Sequence, residues 1–322
     1  RQGARNTVKN LSCFGCIGCC VTLVGLLGCQ PSAPRNSADN NSQSSGATPS
    51  EQVTKPAASQ PKAAKTTLKV AATTSLQSIL PVLAADFAQM NPQISLDVHY
   101  DSSIGLYETI TSNKKKFDIY LSGNQVFPKL LYQQGYASNV ATSKYGKPFT
   151  YTRGQLVLYS SKHVLEVTPT STLDNFMLDN NGQMTLALAN PQIASYGVAA
   201  ENWLINQNLY QSLETNLVYK KSIDEVFQST DKGEVDFGLV GLSQILAKPG
   251  GNKLGSVDQS NHYTILPKDS YPAIYQDAIV LDQVEASDKF VQYLLTARAQ
   301  DVLSDAGYLP ICTSSNLLPA CK

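Results

Sequence analysis

The 322-residue chain has no excess of charge of either sign, with 25 Lys and Arg against 25 Asp and Glu. Setting aside Arg1, Arg5 and Lys9, the only charged residues in the first 29 positions, 22 basic residues remain against 25 acidic ones. A slightly acidic body lacks the basic face that a nucleic-acid partner requires. Histidine is scarce, limited to His99, His163 and His262. A serine hydrolase using Ser75 or Ser103 as nucleophile would need one of these as its base, and no G-x-S-x-G elbow surrounds either serine. His99, four residues before Ser103, keeps that alternative open. The expectation is a protein that is not an enzyme, with no catalytic residues. No internal repeat stands out.

Five of the seven cysteines fall within the first 29 residues. Residues 11–28 are apolar and rich in small side chains, follow three positive charges, and run into Leu26-Leu27-Gly28-Cys29. The segment 1–29 resembles a lipoprotein-type signal, cut before Cys29 so that this cysteine becomes the lipidated N-terminus. A short membrane anchor is the alternative, since 18 apolar residues lie near the lower limit for a span. Either reading places the remainder outside the cytoplasm, tied to a membrane, and the expected location is the periplasm with a lipid anchor. The spacing of Cys13, Cys16, Cys19 and Cys20 suggests a metal or cluster site, but an apolar leader offers poor polar support to such ligands. Beyond Cys29 only Cys312 and Cys321 remain. In an oxidising compartment this isolated pair reads as a disulfide closing the tail.

Residues 30–66 are Ser, Ala, Asn, Pro, Gln and Lys with almost no large apolar side chain. Such a segment cannot bury enough surface to offset its ordering entropy, so it is expected to be a disordered tether, with folding from Thr67. The rest is long enough for two lobes. Strand-like runs at 68–72, 95–100, 118–122, 155–160, 184–189, 216–220, 237–240 and 278–281 alternate with helix-like runs. The helix-like runs are 76–90, 106–112, 125–134, 172–178, 198–206, 223–232, 243–247 and 286–305. This alternation predicts an α/β protein with parallel sheets and crossover helices. Residues 145–154 and 266–276 look like crossings between lobes, which gives lobe one as 67–153 and 270–322 and lobe two as 154–269. A single doubly wound sheet is also compatible with the periodicity.

Two segments end a strand with small hydroxyl residues and lead into a helix: Thr73-Thr74-Ser75 and Asp101-Ser102-Ser103. A helix start leaves unpaired N–H groups and partial positive charge, and a serine adds a donor without formal charge. Each serine taken singly is also a good N-cap. Two such turns, both at the carboxyl end of a strand, are placed where ligands of open α/β sheets gather. Asp101 reads as a turn former, and Asp118 and Asp236 as structural carboxylates at strand starts.

From Thr67 to about Leu309 the chain resembles the periplasmic molybdate-binding proteins of ABC uptake transporters. The resemblance is carried by Val70-Ala71-Ala72-Thr73-Thr74-Ser75-Leu76, Ser102-Ser103-Ile104-Gly105-Leu106 and Phe117-Asp118-Ile119-Tyr120-Leu121-Ser122-Gly123-Asn124. It continues in Ala189-Asn190-Pro191 with Tyr196-Gly197, and in Gly233-Glu234-Val235-Asp236-Phe237-Gly238-Leu239-Val240. It implies a two-lobe periplasmic-binding-protein fold whose hinged interlobe cleft holds an oxyanion by neutral donors alone. By the same resemblance, Ser75 and Ser103 supply hydroxyls and N–H groups, and Tyr196 and Ile223 supply backbone N–H groups. The ligand would be molybdate or tungstate, with molybdenum held through its oxygens, no directly bound metal and no cofactor. A monomer would deliver the anion to a membrane permease with its cytoplasmic ATPase. Some members carry a Tyr hydroxyl where this chain has Gly241, which leaves a fifth donor unassigned. Thr73-Thr74 replaces small apolar residues and resembles the turns of tungstate binders; sulfate is a further alternative ligand.

Overall fold

The computed structural model describes residues 65–138, 145–166, 168–248, 261–282 and 284–311. The leader, Cys29, nearly all of the tether segment, and the Cys312 and Cys321 pair lie outside these residues. Among the described residues no helix is long and apolar enough to cross a membrane.

The strands sort into two five-stranded sheets. The first contains β1 (Thr66–Thr73), β2 (Ile94–Asp101), β3 (Ile119–Leu121), β4 (Phe149–Gly154) and β10 (Ile274–Val280), in the order β2-β1-β3-β10-β4. The second contains β5 (Leu156–Tyr159), β6 (Leu186–Ala189), β7 (Leu217–Lys220), β8 (Phe237–Gly241) and β9 (Tyr263–Ile265), in the order β7-β6-β8-β5-β9. Each sheet is built alike. Three parallel strands, β2-β1-β3 and β7-β6-β8, are extended by two joined antiparallel. The chain passes from the first sheet to the second at Gln155 and returns between β9 and β10.

The inner parallel strands β1, β3, β6 and β8 are buried along most of their length, which is why they read as apolar runs, whereas the edge strands β2 and β7 are partly exposed. Val70, Ala71 and Ala72 of β1 are fully buried, as are all four residues of β6. Crossover helices cover them. In the first lobe these are α1 (Leu80–Met90), α2 (Ser103–Thr111) and α3 (Val126–Gln133). In the second they are α4 (Pro169–Asp179), α5 (Ser195–Asn206), α6 (Tyr210–Leu213), α7 (Ile223–Asp231) and α8 (Leu242–Leu246). The closing helices α9 (Glu285–Leu294) and α10 (Ala297–Asp305) return to the first lobe, where Phe290, Val291 and Leu303 join its core. Each lobe has its own apolar cluster, and Trp203 lies deep in the second.

Three local expectations are corrected. The run 76–90 does not start as one helix at Leu76: a 3-10 turn at Thr74–Leu76 is followed by α1 from Leu80. Pro81 explains the delay, because proline lacks an N–H and is tolerated only in a first turn. The run 286–305 is two helices, since the Thr296 hydroxyl accepts from the Ala299 N–H and starts α10. The segment 149–154, read from its composition as a crossing, is strand β4, paired with β10.

Candidate functional site

In the first lobe the site grows from the carboxyl ends of β1, β2 and β3. At the end of β2, the Asp101 carboxylate accepts from the Ser102 N–H at 2.6 Å, and the Ser102 hydroxyl caps α2 by accepting from the Gly105 N–H at 3.1 Å. Capping therefore falls to Ser102, which frees the Ser103 hydroxyl for other work. Ser103 Oγ accepts from the Gly123 N–H at 2.9 Å and donates to Thr73 Oγ1 at 3.3 Å. The buried Tyr120 hydroxyl donates to the Ser103 carbonyl at 2.7 Å and holds this residue from behind. Asn124, after β3, accepts from the N–H groups of Val126 and Phe127. Its Nδ2 donates across to the Ile193 carbonyl of the other lobe at 3.1 Å.

The second lobe contributes two helix starts. Asn190 follows β6, and its side chain and carbonyl gather the N–H groups of Gln192, Ile193 and Ala194 before α5 opens at Ser195. A Cβ on Gly197 would overlap the Ala189 carbonyl oxygen, so the first turn of α5 rests directly on β6. Helix α7 opens at Ile223, with the Ser222 hydroxyl accepting from the Glu225 N–H at 3.2 Å. Glu225 reaches back to the Lys221 N–H at 3.1 Å. Between them Asp224 accepts from Gln244 Nε2 at 3.0 Å. Burial pushes the Asp224 carboxyl up to about 6, and Glu225 adds to the shift against the opposing Gln244 bond.

These pieces enclose a cavity of about 30 Å³ between the lobes. Its wall holds Thr73, Ser103 and Asn124 from one side, and Tyr196, Ile223 and Asp224 from the other. That is room for about two water-sized bodies, enough for a small ion and too little for a sugar or a peptide. Three of the four residues singled out in the sequence, Ser103, Tyr196 and Ile223, meet here. Ser75 does not. It lines a larger neighbouring cleft of about 440 Å³ with Thr74, Gln228 and Lys248, and its carbonyl accepts from the Tyr308 hydroxyl. Neither Ser75 nor Ser103 is an N-cap; those positions belong to Thr73 and Ser102.

Residues 68–309 of the sequence match the family of bacterial extracellular solute-binding proteins. The molybdate-binding protein ModA of Azotobacter vinelandii is 31% identical over 208 residues, which is 63% of this chain and 75% of that protein. ModA of Rhodobacter capsulatus is 28% identical over 208 residues, 64% of this chain and 74% of that protein. The chain belongs to this family. The solved periplasmic molybdate-binding protein of Azotobacter vinelandii superposes with a TM-score of 0.59 at 27% identity, over 76% of this chain and 100% of that one. The two-lobe fold is thus that of a periplasmic solute-binding protein.

Gly241, where the resemblance left a fifth donor unassigned, lies against Tyr196. A Cβ there would meet the Tyr196 ring at 3.1–3.3 Å, so the absence of a side chain at 241 makes room for the aromatic group of 196. The Tyr196 hydroxyl is then buried and accepts from Gln276 Nε2 at 3.4 Å, a second polar link between the lobes. The three histidines engage elsewhere. His99 stacks on Phe117, His163 faces Asp236, and His262 bonds the Ser160 carbonyl. Asp118 accepts from the Lys69 N–H. Burial works against ionisation of Asp236, yet Lys162, Thr185 and His163 hold its carboxyl down at about 2. Among the described residues no group of three or more His, Cys, Asp or Glu is placed to hold a metal ion. Sequence reasoning did not assign Thr73, Asn124 and Asp224 to the site, although Thr73 belongs to the first hydroxyl turn and Asn124 is followed two residues later by a helix start.

Proposed function

We propose that this solute-binding protein captures molybdate between its lobes and passes it to the permease of an ABC transporter, driven by a cytoplasmic ATPase. The observation that carries the reading is the convergence of neutral donors from both lobes on one small cavity: the Ser103 hydroxyl, the start of α5 at Tyr196 and the start of α7 at Ile223. Helix starts disperse negative charge through backbone N–H groups without a counter-ion. Tungstate has the same charge and geometry and is expected to bind as well. Ser75 enters this reading only if lobe closure carries its turn toward the anion. The protein acts as a binding component, without catalysis, as a monomer held to the membrane by a lipid on Cys29, with Cys312 bonded to Cys321.

Selectivity follows from the donors aimed at the anion, the Asp224 carboxylate on the same wall being engaged by Gln244 Nε2. Molybdate accepts at every oxygen, whereas monohydrogen phosphate brings a hydroxyl that needs an acceptor, and leaving it unpaired costs about 1–3 kcal/mol. Sulfate is smaller, and donors set for the larger anion would reach it through long hydrogen bonds. Calorimetric titration of the purified protein tests this. Molybdate and tungstate should bind tightly, phosphate and sulfate weakly, and Ser103→Ala should lose about 1.5–3 kcal/mol of molybdate affinity. Tight phosphate binding, or no oxyanion binding, would overturn the reading.

A further inference from the structure

The two crossings between the lobes border another cavity, which shares no lining residue with the anion cavity. Its volume is about 300 Å³ against about 30 Å³, the size at which pockets for small organic ligands begin. Arg153, near the end of β4, lines one side; Lys268, Asp269 and Tyr271, on the way into β10, line another. The charged groups in this wall lack partners. Arg153 is half-buried, and its Nε and Nη2 both donate to the Pro310 carbonyl, at 3.1 and 2.8 Å, which leaves Nη1 at the outer edge of the guanidinium unspent. No ion pair among the described residues involves Arg153, Lys268 or Asp269. Tyr271 is only 6% exposed, and its hydroxyl accepts from the Leu156 N–H at 3.0 Å, yet its own proton has no acceptor among the described residues. Burial raises this phenol above its ordinary value, so the proton stays in place at neutral pH. The rest of the wall is largely apolar, from Ala273, Ile274 and Leu309.

We propose that this hinge cavity binds a small organic monocarboxylate, with its charged group on Arg153 and Lys268 and its short carbon chain on Ala273, Ile274 and Leu309. The site is separate from the oxyanion reading and does not depend on it. Three features select the ligand class. A half-buried guanidinium without a counter-ion is unfavourable, and its planar outer edge matches the two oxygens of a carboxylate. The volume is about ten times that of the cavity suited to a small inorganic ion, and the apolar side chains on its wall shelter hydrocarbon and give a bare ion nothing to bind. Asp269 limits the charge. Two cations against one carboxylate accommodate a single negative group, and a second would meet Asp269. Because the walls come from both crossings, an occupant bridges the two segments about which the lobes turn.

The experiment is a ligand-observed NMR titration of the full chain with butyrate, n-butanol, succinate and inorganic phosphate at constant ionic strength. Butyrate should bind saturably, with a Kd on the order of millimolar for a ligand of about six non-hydrogen atoms. n-Butanol keeps the chain without the charge, and phosphate keeps charge without the chain; each should bind at least about tenfold more weakly. Succinate should bind more weakly than butyrate, and Asp269→Asn should close that gap. Arg153→Gln should weaken butyrate binding at least about tenfold, as expected for losing a hydrogen bond between charged groups. Lys268→Ala, at an exposed position, should weaken it at least about threefold. Cooperative thermal unfolding checks each variant; should Arg153→Gln fail to fold, Lys268→Ala decides the same question. No saturation by butyrate up to about 50 mM would overturn the proposal. So would butyrate affinity unchanged in the Arg153 and Lys268 variants, since the ligand would then bind elsewhere. Phosphate, succinate or n-butanol binding as tightly as butyrate would overturn the ligand class.

Discussion

At the scale of single residues, Asp224 makes both stability and binding depend on acidity. Its carboxyl sits at about 6 in the folded protein against an ordinary value of 3.8. Between those two values the folded chain keeps a proton that the unfolded chain has already lost. Stability from this group is therefore greatest below about pH 4, falls as pH rises toward 6, and is level above that. The fall is on the order of 1–3 kcal/mol. Denaturant unfolding across pH 4–7 measures it, and Asp224→Asn should remove most of the slope. Because Asp224 also lines the anion cavity, its ionised form opposes a dianion, so molybdate affinity should decline from pH 5 to 7.5. A flat profile in the unmodified protein would contradict this. The carboxylate itself was not legible in the sequence. An acidic residue in the first turn of a helix is ordinary there, and it is burial in the folded chain that raises it, against the Gln244 hydrogen bond. Ser103, by contrast, was legible, because strand, hydroxyl pair and helix follow one another locally.

At the scale of elements, α5 depends on contact without a side chain in between. Gly197 lets its first turn lie on the Ala189 carbonyl at the end of β6. Gly197→Ala should push the helix start off the sheet, costing about 1–3 kcal/mol of stability and more than proportionately weakening molybdate binding, since the Tyr196 N–H moves with it. Thermal unfolding and titration of the same variant measure the two effects; unchanged affinity would show that the start of α5 does not touch the anion. Elements with strong apolar runs were readable to within a residue or two, such as β1, β2 and β8. Those governed by a single exception were not. Pro81 delays α1, the Thr296 cap divides the last helix, and β4 hides its strand character behind a stretch that includes Gly, Pro and Lys. The identity of the residue facing the cavity after β1 is a matter of rotation within a 3-10 turn. Ser103, itself held by the Gly123 N–H, bonds Thr73 there, and Ser75 lines the neighbouring cleft.

At the scale of the whole molecule, two polar side chains cross between the lobes beside the cavity. Asn124 bonds the Ile193 carbonyl, and Gln276 bonds the Tyr196 hydroxyl. Donors drawn from both sides can tighten on an anion only by moving the lobes together, so saturating molybdate should lower the radius of gyration in small-angle scattering. An unchanged curve would count against closure. Trp203, only 2% exposed within the second core, should remain shielded throughout and serve as a control. The sequence by itself determined the alternation of strands and helices, the hydroxyl turns at strand ends and the lack of net positive charge, because these depend on composition and on neighbours a few residues apart. The tertiary structure alone decided which hydroxyl turns inward, how far Asp224 is desolvated and how Gly241 yields its space to Tyr196. Each of those outcomes is set by groups distant in sequence, and burial and hydrogen-bond direction exist only once those groups have been brought together.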